Sequence, residues 1–188
     1  MAKYQTEYWS QVGKKNTRPT LKLVLKRARI EKIKYVVIAS TTGATVKEFL
    51  RLKPKAIKIV CVTHHTGFFK PGYNEMSKST ENYLMKQGVV IFRATHFFGG
   101  MGRAVRLKFG GLYPDEIAAN VLRIFGQGVK VAIEIAIMAL DAGLIPYGKK
   151  IIAVGGTDQG ADAAIVIIPA HGKNFFATKV LKIICKPE

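Results

Sequence analysis

The sequence predicts an α/β fold of three layers, in which helices cover both faces of a mostly parallel β-sheet. Two observations predict it. Short apolar runs rich in β-branched residues alternate along the 188-residue chain with segments of helical spacing, an order typical of parallel sheets covered on both sides. The fourth and fifth runs are too close together for a parallel crossover, so they predict an antiparallel hairpin near the C-terminus.

Six apolar runs have the length and composition of buried strands. They lie at residues 35–39, 57–62, 89–94, 150–154, 163–168 and 180–185.

Five segments have helical spacing, and the last of them is apolar on almost every side, which predicts a buried central helix. The chain is predicted to form a single domain spanning residues 1–188, in which the polar residues 1–19 form an N-terminal arm. The five predicted helices lie at residues 20–29, 46–50, 77–87, 114–125 and 129–140.

Composition excludes several classes of protein. The longest apolar run, residues 129–140, falls short of the ~20 residues that a membrane span needs, and the first nine residues lack the apolar stretch of a secretory signal. We therefore expect a cytoplasmic protein with no membrane partner. Cys61 and Cys185 lie in apolar runs and are expected to be buried, reduced thiols. No cysteine or histidine cluster has the spacing of a metal site.

The chain is strongly basic, with 30 Lys and Arg residues against 12 Asp and Glu, and a net charge of +18. Residues 1–58 contain fifteen of the cations and three of the acids. Such an excess raises nucleic acid as a partner, although these cations lack interleaved aromatic residues and a solvated basic surface is the favoured interpretation. The cations concerned are Lys14, Lys15, Arg18, Lys22, Lys26, Arg27 and Arg29.

Four predicted parallel strands end in polar or glycine-rich loops. Ligands of open α/β sheets bind beyond the carboxyl ends of the strands, so these loops are expected to meet at one ligand-binding edge. The antiparallel fifth strand brings Asp162 to that edge and sends His171 to the opposite one. The four loops are STTGAT (40–45), THHTG (63–67), THFFGG (95–100) and GGTDQG (155–160).

The STTGAT loop has the clearest ligand chemistry. Three hydroxyl residues in succession precede Gly43 and the start of a helix, whose free N–H groups carry partial positive charge. Such a loop can hold a phosphate. Helix capping alone is the competing interpretation, because Thr45 and Glu48 match a capping box. The number of hydroxyls exceeds what a cap requires, so the phosphate site is favoured.

Other polar residues near this edge allow two interpretations each. His64 or His65 can act as an acid–base group, or as a hydrogen-bonded surface residue, which is the favoured interpretation for His96. Residues 126–128, Gly-Gln-Gly, can donate backbone hydrogen bonds to a ligand or form a packing turn. Glu134 lies in an apolar helix and is expected to pair with Arg103 or Arg123.

Residues 35–63, YVVIASTTGATVKEFLRLKPKAIKIVCVT, resemble the C-terminal domain of pyruvate kinases, in which the Ser/Thr-Gly-x-Ser/Thr loop holds a phosphate of a sugar bisphosphate effector. Residues 150–168 resemble the later hairpin of that domain, whose glycine-rich loop closes over the same effector. The whole chain is similar to a stand-alone, mainly archaeal family of pyruvate-kinase-C-terminal-domain-like proteins. The strings that carry this similarity include THHTGF, FGGLYP, RIFGQGVK, EIAIMALDAGLIP, VGGTDQGADAAIVI and PAHGKNFF.

The resemblance implies flavin mononucleotide (FMN) as a cofactor, because FMN is seen in that family. It implies no established reaction, and 188 residues leave no room for the catalytic barrel of pyruvate kinase, so whether the chain is an enzyme stays open. The implied cofactor-binding residues are Ser40, Thr41, Thr42, Gly43, Ala44, Thr45, Thr63, His64, Gly67, Phe68, Met101, Gln127, Gly128, Gly155, Gly156 and Thr157.

Three functions follow from the sequence as hypotheses. The first is a flavoprotein of unknown reaction. The second is a non-enzymatic sensor or carrier of a phosphorylated metabolite, and the third is nucleic-acid binding through the basic N-terminal region. A homo-oligomer is compatible with each of them.

Overall fold

The structure, a computed structural model that describes residues 5–188, contains seven strands in one mixed sheet. In chain order they are β1 (Glu7–Trp9), β2 (Tyr35–Ala39), β3 (Lys58–Thr63), β4 (Val90–Arg93), β5 (Ile151–Gly155), β6 (Ala163–Ile168) and β7 (Lys179–Pro187). The order across the sheet is β1-β7-β6-β5-β2-β3-β4. All neighbouring strands are parallel except β6, which is antiparallel to both β5 and β7.

Helices cover both faces of this sheet. The helices α1 to α3 pack on one face, and α6 packs on the other with α5 against it and α4 against α5. No helix in residues 5–188 combines the length and hydrophobicity that crossing a membrane requires. The helices are α1 (Thr17–Ile30), α2 (Ala44–Arg51), α3 (Lys78–Lys86), α4 (Met101–Phe109), α5 (Pro114–Arg123) and α6 (Gln127–Asp141).

The alternation of side chains along β2 divides the core into two parts. Val36 and Ile38 pack against Phe49 of α2, whereas Val37 faces the other way and packs against Ile137 of α6. All five side chains are fully buried. This two-sided burial explains why the strands are continuous apolar runs in the sequence.

The predicted strands agree with the observed ones to within one or two residues, and the antiparallel β5–β6 hairpin is confirmed. The sequence analysis missed α4. None of the residues of α4 is fully buried, so the helix lacks the apolar stripe by which periodicity is recognised.

Residues 7–9 of the predicted N-terminal arm belong to the sheet. These residues form β1, which pairs in parallel with β7 at the edge of the sheet, and α1 already begins at Thr17. Residues 1–4 of the predicted arm lie outside the described residues. Because β1 is a short edge strand with partly exposed side chains, it lacks the apolar pattern of a buried strand.

The segment after β1 is held by Asp162, which is completely buried at the start of β6. The Trp9 indole N–H donates to the Asp162 carbonyl at 2.9 Å, and the Gly13 N–H donates to its carboxylate at 2.8 Å. The Thr157 N–H donates to the same carboxylate oxygen at 3.2 Å. The carboxylate therefore joins the N-terminal segment to the GGTDQG loop.

The carboxyl ends of β2, β3, β4 and β5 meet at one edge of the sheet, as predicted. His171 lies at the opposite edge, where its Nδ1 is 2.8 Å from Oδ1 of Asp141 at the end of α6. Both cysteines are buried and free, as predicted. Burial raises the pKa of Cys61 to about 12 and that of Cys185 to about 11, so both stay protonated at neutral pH.

Two glycines allow α6 to approach the end of β5. A Cβ atom on Gly155 would lie 2.1 Å from the carbonyl oxygen of Gly128, and one on Gly128 would lie 2.7 Å from the Cβ of Ala163. Neither glycine has a positive φ, so glycine is needed at both positions because a side chain would not fit, and not because of the backbone conformation. This contact fixes the first turn of α6 at the carboxyl edge of the sheet.

Replacing Gly155 by Ala should therefore destabilise the fold. The added methyl group meets backbone that cannot move without shifting α6, so we expect a loss of roughly 1–3 kcal/mol in urea unfolding. Gly100→Ala is the matched control, because its Cβ would have no atom nearer than 3.9 Å. Equal stability of the two variants would contradict the close contact.

Candidate functional site

A cleft of about 190 Å³ opens at the carboxyl edge of the sheet, between the ends of β2 and β3 and the three helices α4, α5 and α6. Its walls combine hydroxyl groups from the strand ends with charged side chains from the helices. Six of the residues predicted for a ligand site line it: Ser40, Thr41, Thr63, His64, Phe68 and Gln127.

The remaining residues of the STTGAT loop lead away from the cleft into α2. Gly43 is the N-cap of the helix and has a left-handed φ of 84°, which explains the glycine. Thr42 and Ala44 are exposed beside it, and Thr45 is buried within the first turn. The loop thus presents its first two residues to the cleft and its last residues to the helix.

Ser40 caps α2 from within the loop. The Thr45 N–H donates to the Ser40 hydroxyl at 3.2 Å, and the Thr63 hydroxyl donates to the carbonyl of Thr41 at 2.9 Å. The capping box considered for Thr45 and Glu48 is not formed, because the helix begins at Ala44 and Thr45 already lies inside it. The Ser40 hydroxyl therefore caps the helix, although the residue that does so is not the Thr45 of the predicted capping box.

The predicted glycine-rich residues lie where backbone segments pack closely against one another. Gly128 and Gly155 contact each other, as described above, and a Cβ on Gly156 would lie 2.3 Å from the carbonyl oxygen of Gly160. The Thr157 N–H is bonded to Asp162. These four predicted residues are outside the cleft lining, and the packing interpretation of residues 126–128 accounts for Gly128.

Gly67 and Met101 are also outside the cleft lining. Gly67 has a φ of 84° in the turn after β3, where its N–H donates to the carbonyl of Tyr73 at 2.9 Å. Met101 begins α4 and is 78% exposed. The structure therefore does not bring either residue to the cleft.

Two arginines supply positive charge to the cleft. Arg123 of α5 donates to the side-chain oxygens of Gln127 at 2.8 Å and Asn120 at 2.6 Å. The guanidinium of Arg103 on α4 lies 5.5 Å from the ring centre of Phe68. Across residues 5–188, neither arginine has a carboxylate within 4 Å. The cleft therefore carries uncompensated positive charge.

A buried ion pair forms the floor of the cleft. The Lys130 Nζ lies 2.5 Å from Oε2 of Glu134, one turn along α6, and the Phe98 N–H donates to the other carboxylate oxygen at 2.9 Å. The prediction of Arg103 or Arg123 as the partner of Glu134 is wrong, because Lys130 reaches it within the same helix. Burial lowers the pKa of Lys130, and Glu134 opposes that shift.

Aromatic rings form the outer wall. The rings of His64 and Phe68 are 3.9 Å apart between centroids, and the His96 ring is within 5.2 Å of both. His64 Nδ1 lies 2.7 Å from Oε2 of Glu75. His96 was expected at the surface, but it lines the cleft, where burial lowers its pKa to about 4. His96 is therefore neutral at pH 7.

Sequence reasoning missed Arg103, Arg123, Lys130 and His96 as members of this cleft. The arginines lie on helices that carry no motif, and α4 itself was not predicted. The signal that was available is the i, i+4 pair of opposite charges in the apolar segment at residues 129–140, since such a pair rarely occurs inside a core without a role.

Residues 19–167 match the family model described as the pyruvate kinase, alpha/beta domain. The chain belongs to that family. The match covers well over half of the sequence and includes most of α1, every element from β2 to β5 and most of β6. It ends before β7, so the last strand of this pyruvate kinase alpha/beta domain lies outside the matched region.

Solved pyruvate kinases from Cryptosporidium parvum are similar to this alpha/beta domain. One has 14% identity and a TM-score of 0.43, and the match covers 81% of this chain and 22% of that one. A structure described as a complex with ADP has 15% identity over 80% and 22% of the two chains, with a TM-score of 0.41. A third has 15% identity over 74% and 20%, with a TM-score of 0.38. The chain spans about a fifth of the length of these enzymes.

Disrupting the buried ion pair should destabilise the protein. We expect Glu134→Gln to lower the free energy of unfolding by about 3–5 kcal/mol, because it leaves the Lys130 ammonium buried without a counter-charge. In a double-mutant cycle of Lys130→Met and Glu134→Leu, measured by urea unfolding, the double variant should recover much of the loss that Glu134→Leu alone causes. Strictly additive effects would contradict a direct pair.

His96 should make stability depend on pH between about 6.5 and 4. As the pH falls through this window, the unfolded chain binds a proton at this residue and the folded chain does not, so folding loses stability. Unfolding midpoints near pH 7 and near pH 5 should therefore differ more in the wild-type protein than in His96→Gln. The same difference in both proteins would show that His96 is not protected from protonation.

Proposed function

We propose that this protein binds a phosphate-bearing small molecule in the cleft, and that the molecule is FMN. The observation that carries the proposal is the pair of arginines, Arg103 and Arg123, which line the cleft and have no carboxylate within 4 Å in residues 5–188. A cleft with this excess charge attracts an anion.

Phosphate suits the donors of this cleft. A guanidinium binds phosphate through two parallel N–H donors, and charge-assisted hydrogen bonds of this kind are about twice as strong as neutral ones. The Thr41 hydroxyl lies in the loop before the N-terminus of α2, whose dipole adds partial positive charge. The Thr63 hydroxyl already donates to the Thr41 carbonyl, and Lys130 is paired with Glu134, so the two arginines and the Thr41 hydroxyl are the proposed phosphate ligands.

The residues at the mouth of the cleft fit the remainder of FMN. Phe68 is 36% exposed and offers an aromatic surface to a flavin ring, while the volume of about 190 Å³ suits the phosphate and part of the ribityl chain. Glu75 orients His64, whose other ring nitrogen can exchange a proton with a bound molecule. Bound flavin would supply redox chemistry. The proposed roles of the chain's own residues are phosphate binding, ring contact and proton exchange.

A second candidate function is a sensor or carrier of a smaller phosphorylated metabolite. The limited volume of the cleft favours this function, because a sugar phosphate fits inside such a space, whereas the flavin ring of FMN would lie outside it. The same arginines would bind the phosphate, so the two candidates differ in what the aromatic residues do. A cytoplasmic location stays a prediction from the sequence.

The test is titration of the purified protein with FMN, followed by flavin fluorescence and by thermal shift. We expect saturable binding, at least tenfold weaker binding of riboflavin, and a loss of at least about tenfold in FMN affinity for Arg103→Gln and Arg123→Gln, because a charged hydrogen bond contributes about 1.5–3 kcal/mol. Arg106→Gln is the matched control, since Arg106 lies one turn from Arg103 but outside the cleft lining.

The outcomes separate the two candidates. Stabilisation by hexose phosphates together with no response to FMN supports the sensor or carrier. No response to either compound, or equal losses in Arg103→Gln and the control, contradicts a phosphate site in this cleft.

A further inference from the structure

The edge of the sheet opposite the cleft carries a concentration of lysines. Strands β2, β3, β5 and β7 all begin at this edge, and each begins with or directly after a lysine. All of these lysines are exposed. We call this surface the lysine edge and define it by Lys34, Lys58, Lys149, Lys150 and Lys179.

The register of the sheet places these lysines in a row. Val36 pairs with Ile152, so Lys34 and Lys150 precede their strands at the same level, and Lys58 lies beside Tyr35. Ile168 pairs with Lys179 on the far side of β6. With neighbouring strands ~4.8 Å apart, the row from β3 to β7 spans roughly 19 Å. Stacked nucleic acid carries one phosphate per ~3.4 Å along each strand, and an extended single strand spaces its phosphates more widely, so the row is long enough to contact several phosphates of one strand.

The positive charge of the lysine edge is not compensated within the described part of the chain. None of its five lysines has a carboxylate within 4 Å. Two acids at the C-terminal ends of α1 and α6 are engaged elsewhere: Glu31 contacts Lys182 at 2.7 Å, and Asp141 contacts His171 at 2.8 Å. An ordinary solvated surface mixes both signs of charge, whereas here the acids are already paired.

Two exposed aromatic residues lie close in sequence to lysines of this edge. Tyr147 is 71% exposed two residues before Lys149, and its ring stacks on His171 with an interplanar angle of 8°. Phe176 is 96% exposed three residues before Lys179. Both aromatic residues lie in the segments that lead into strands at this edge. Interleaved aromatics were lacking in the basic sequence region, and the fold brings them together with lysines here.

We propose that the lysine edge binds single-stranded nucleic acid, with the backbone along the lysines and bases stacked on Tyr147 and Phe176. Proteins that bind single strands without sequence preference combine these two features, a basic track and aromatic platforms. A duplex would contact only the lysines, because its bases are already stacked on one another and do not stack on aromatic side chains. The exposed aromatics therefore favour a single strand.

Helix α1 extends the same basic surface. Lys22, Lys26 and Arg29 are exposed at i, i+4 and i+7, and they form a stripe that leads towards the start of β2. Arg27 points elsewhere, where it contacts Glu31 at 3.5 Å. Part of the basic region noted in the sequence therefore continues the lysine edge and supplies a longer track.

Fluorescence anisotropy with labelled twelve-nucleotide oligo(U) and oligo(dT) tests the proposal on the full chain. We expect binding at low salt. The logarithm of the association constant should fall linearly with the logarithm of the salt concentration, with a slope of about −0.7 for each phosphate neutralised. Binding of either oligonucleotide supports the proposal, and the ratio of the two affinities tells RNA from DNA.

Variants separate the contribution of the lysines to binding from that of the aromatic residues. Lys34→Gln with Lys150→Gln should weaken binding at least tenfold and reduce the salt slope by about 1.4, and Tyr147→Ala and Phe176→Ala should each weaken it about fivefold or more. Lys70→Gln with Lys108→Gln removes the same charge from other exposed positions and is the matched control. It should change affinity less than twofold.

Three results would overturn the proposal. The first is no binding at low salt, and the second is an equal loss of affinity in the control variant, which would show a general charge effect. The third is equal affinity for a duplex of the same length together with no effect of Tyr147→Ala and Phe176→Ala. These measurements are independent of the flavin titration, because no residue of the lysine edge lines the cleft.

Discussion

The rest of the structure depends on the close contact between α6 and the end of β5. Because Gly155 and Gly128 have no side chains, the backbone of the helix rests directly on the sheet at its carboxyl edge. This contact sets the position of the whole helix, which forms the centre of one of the two core layers. It also fixes where Gln127, Lys130 and Glu134 enter the cleft. The geometry of the candidate site thus follows from the packing of Gly128 and Gly155, which themselves lie outside the cleft lining.

The electrostatics of the cleft follow from the same arrangement. Lys130 and Glu134 neutralise each other in the floor, and the Phe98 N–H uses the second carboxylate oxygen. With that carboxylate fully engaged, Arg103 and Arg123 keep their charge available to a ligand. A buried pair contributes little net stability compared with apolar residues, so its presence suits a site in which the direction of charge matters more than stability.

Periodicity and turn chemistry predicted the sheet well, because each buried strand is an uninterrupted apolar run between polar loops. The STTGAT loop could be recognised from three hydroxyls before a glycine, and three of the strand-end residues that line the cleft, Ser40, Thr41 and Thr63, follow from parallel topology. Arg103 and Arg123 could not be predicted, since their approach depends on how α4 and α5 pack on α6. For Gly155, a single sequence does not distinguish a glycine needed for ligand contact from one needed for space.

The pairing of β1 with β7 also protects the edge of the sheet. β7 has nine residues, and its end would present unpaired N–H and C=O groups on its outer side, which is the geometry by which separate chains join into larger sheets. β1 covers Cys185 to Pro187, and the Thr6 hydroxyl donates to the carbonyl of Ile183 at 2.9 Å. The uncovered beginning of β7 carries Lys179, an exposed cation of the kind that opposes edge-to-edge contact. The N-terminal segment therefore opposes aggregation by covering this edge. A protein without it would expose the edge of β7 and be prone to assemble through that strand.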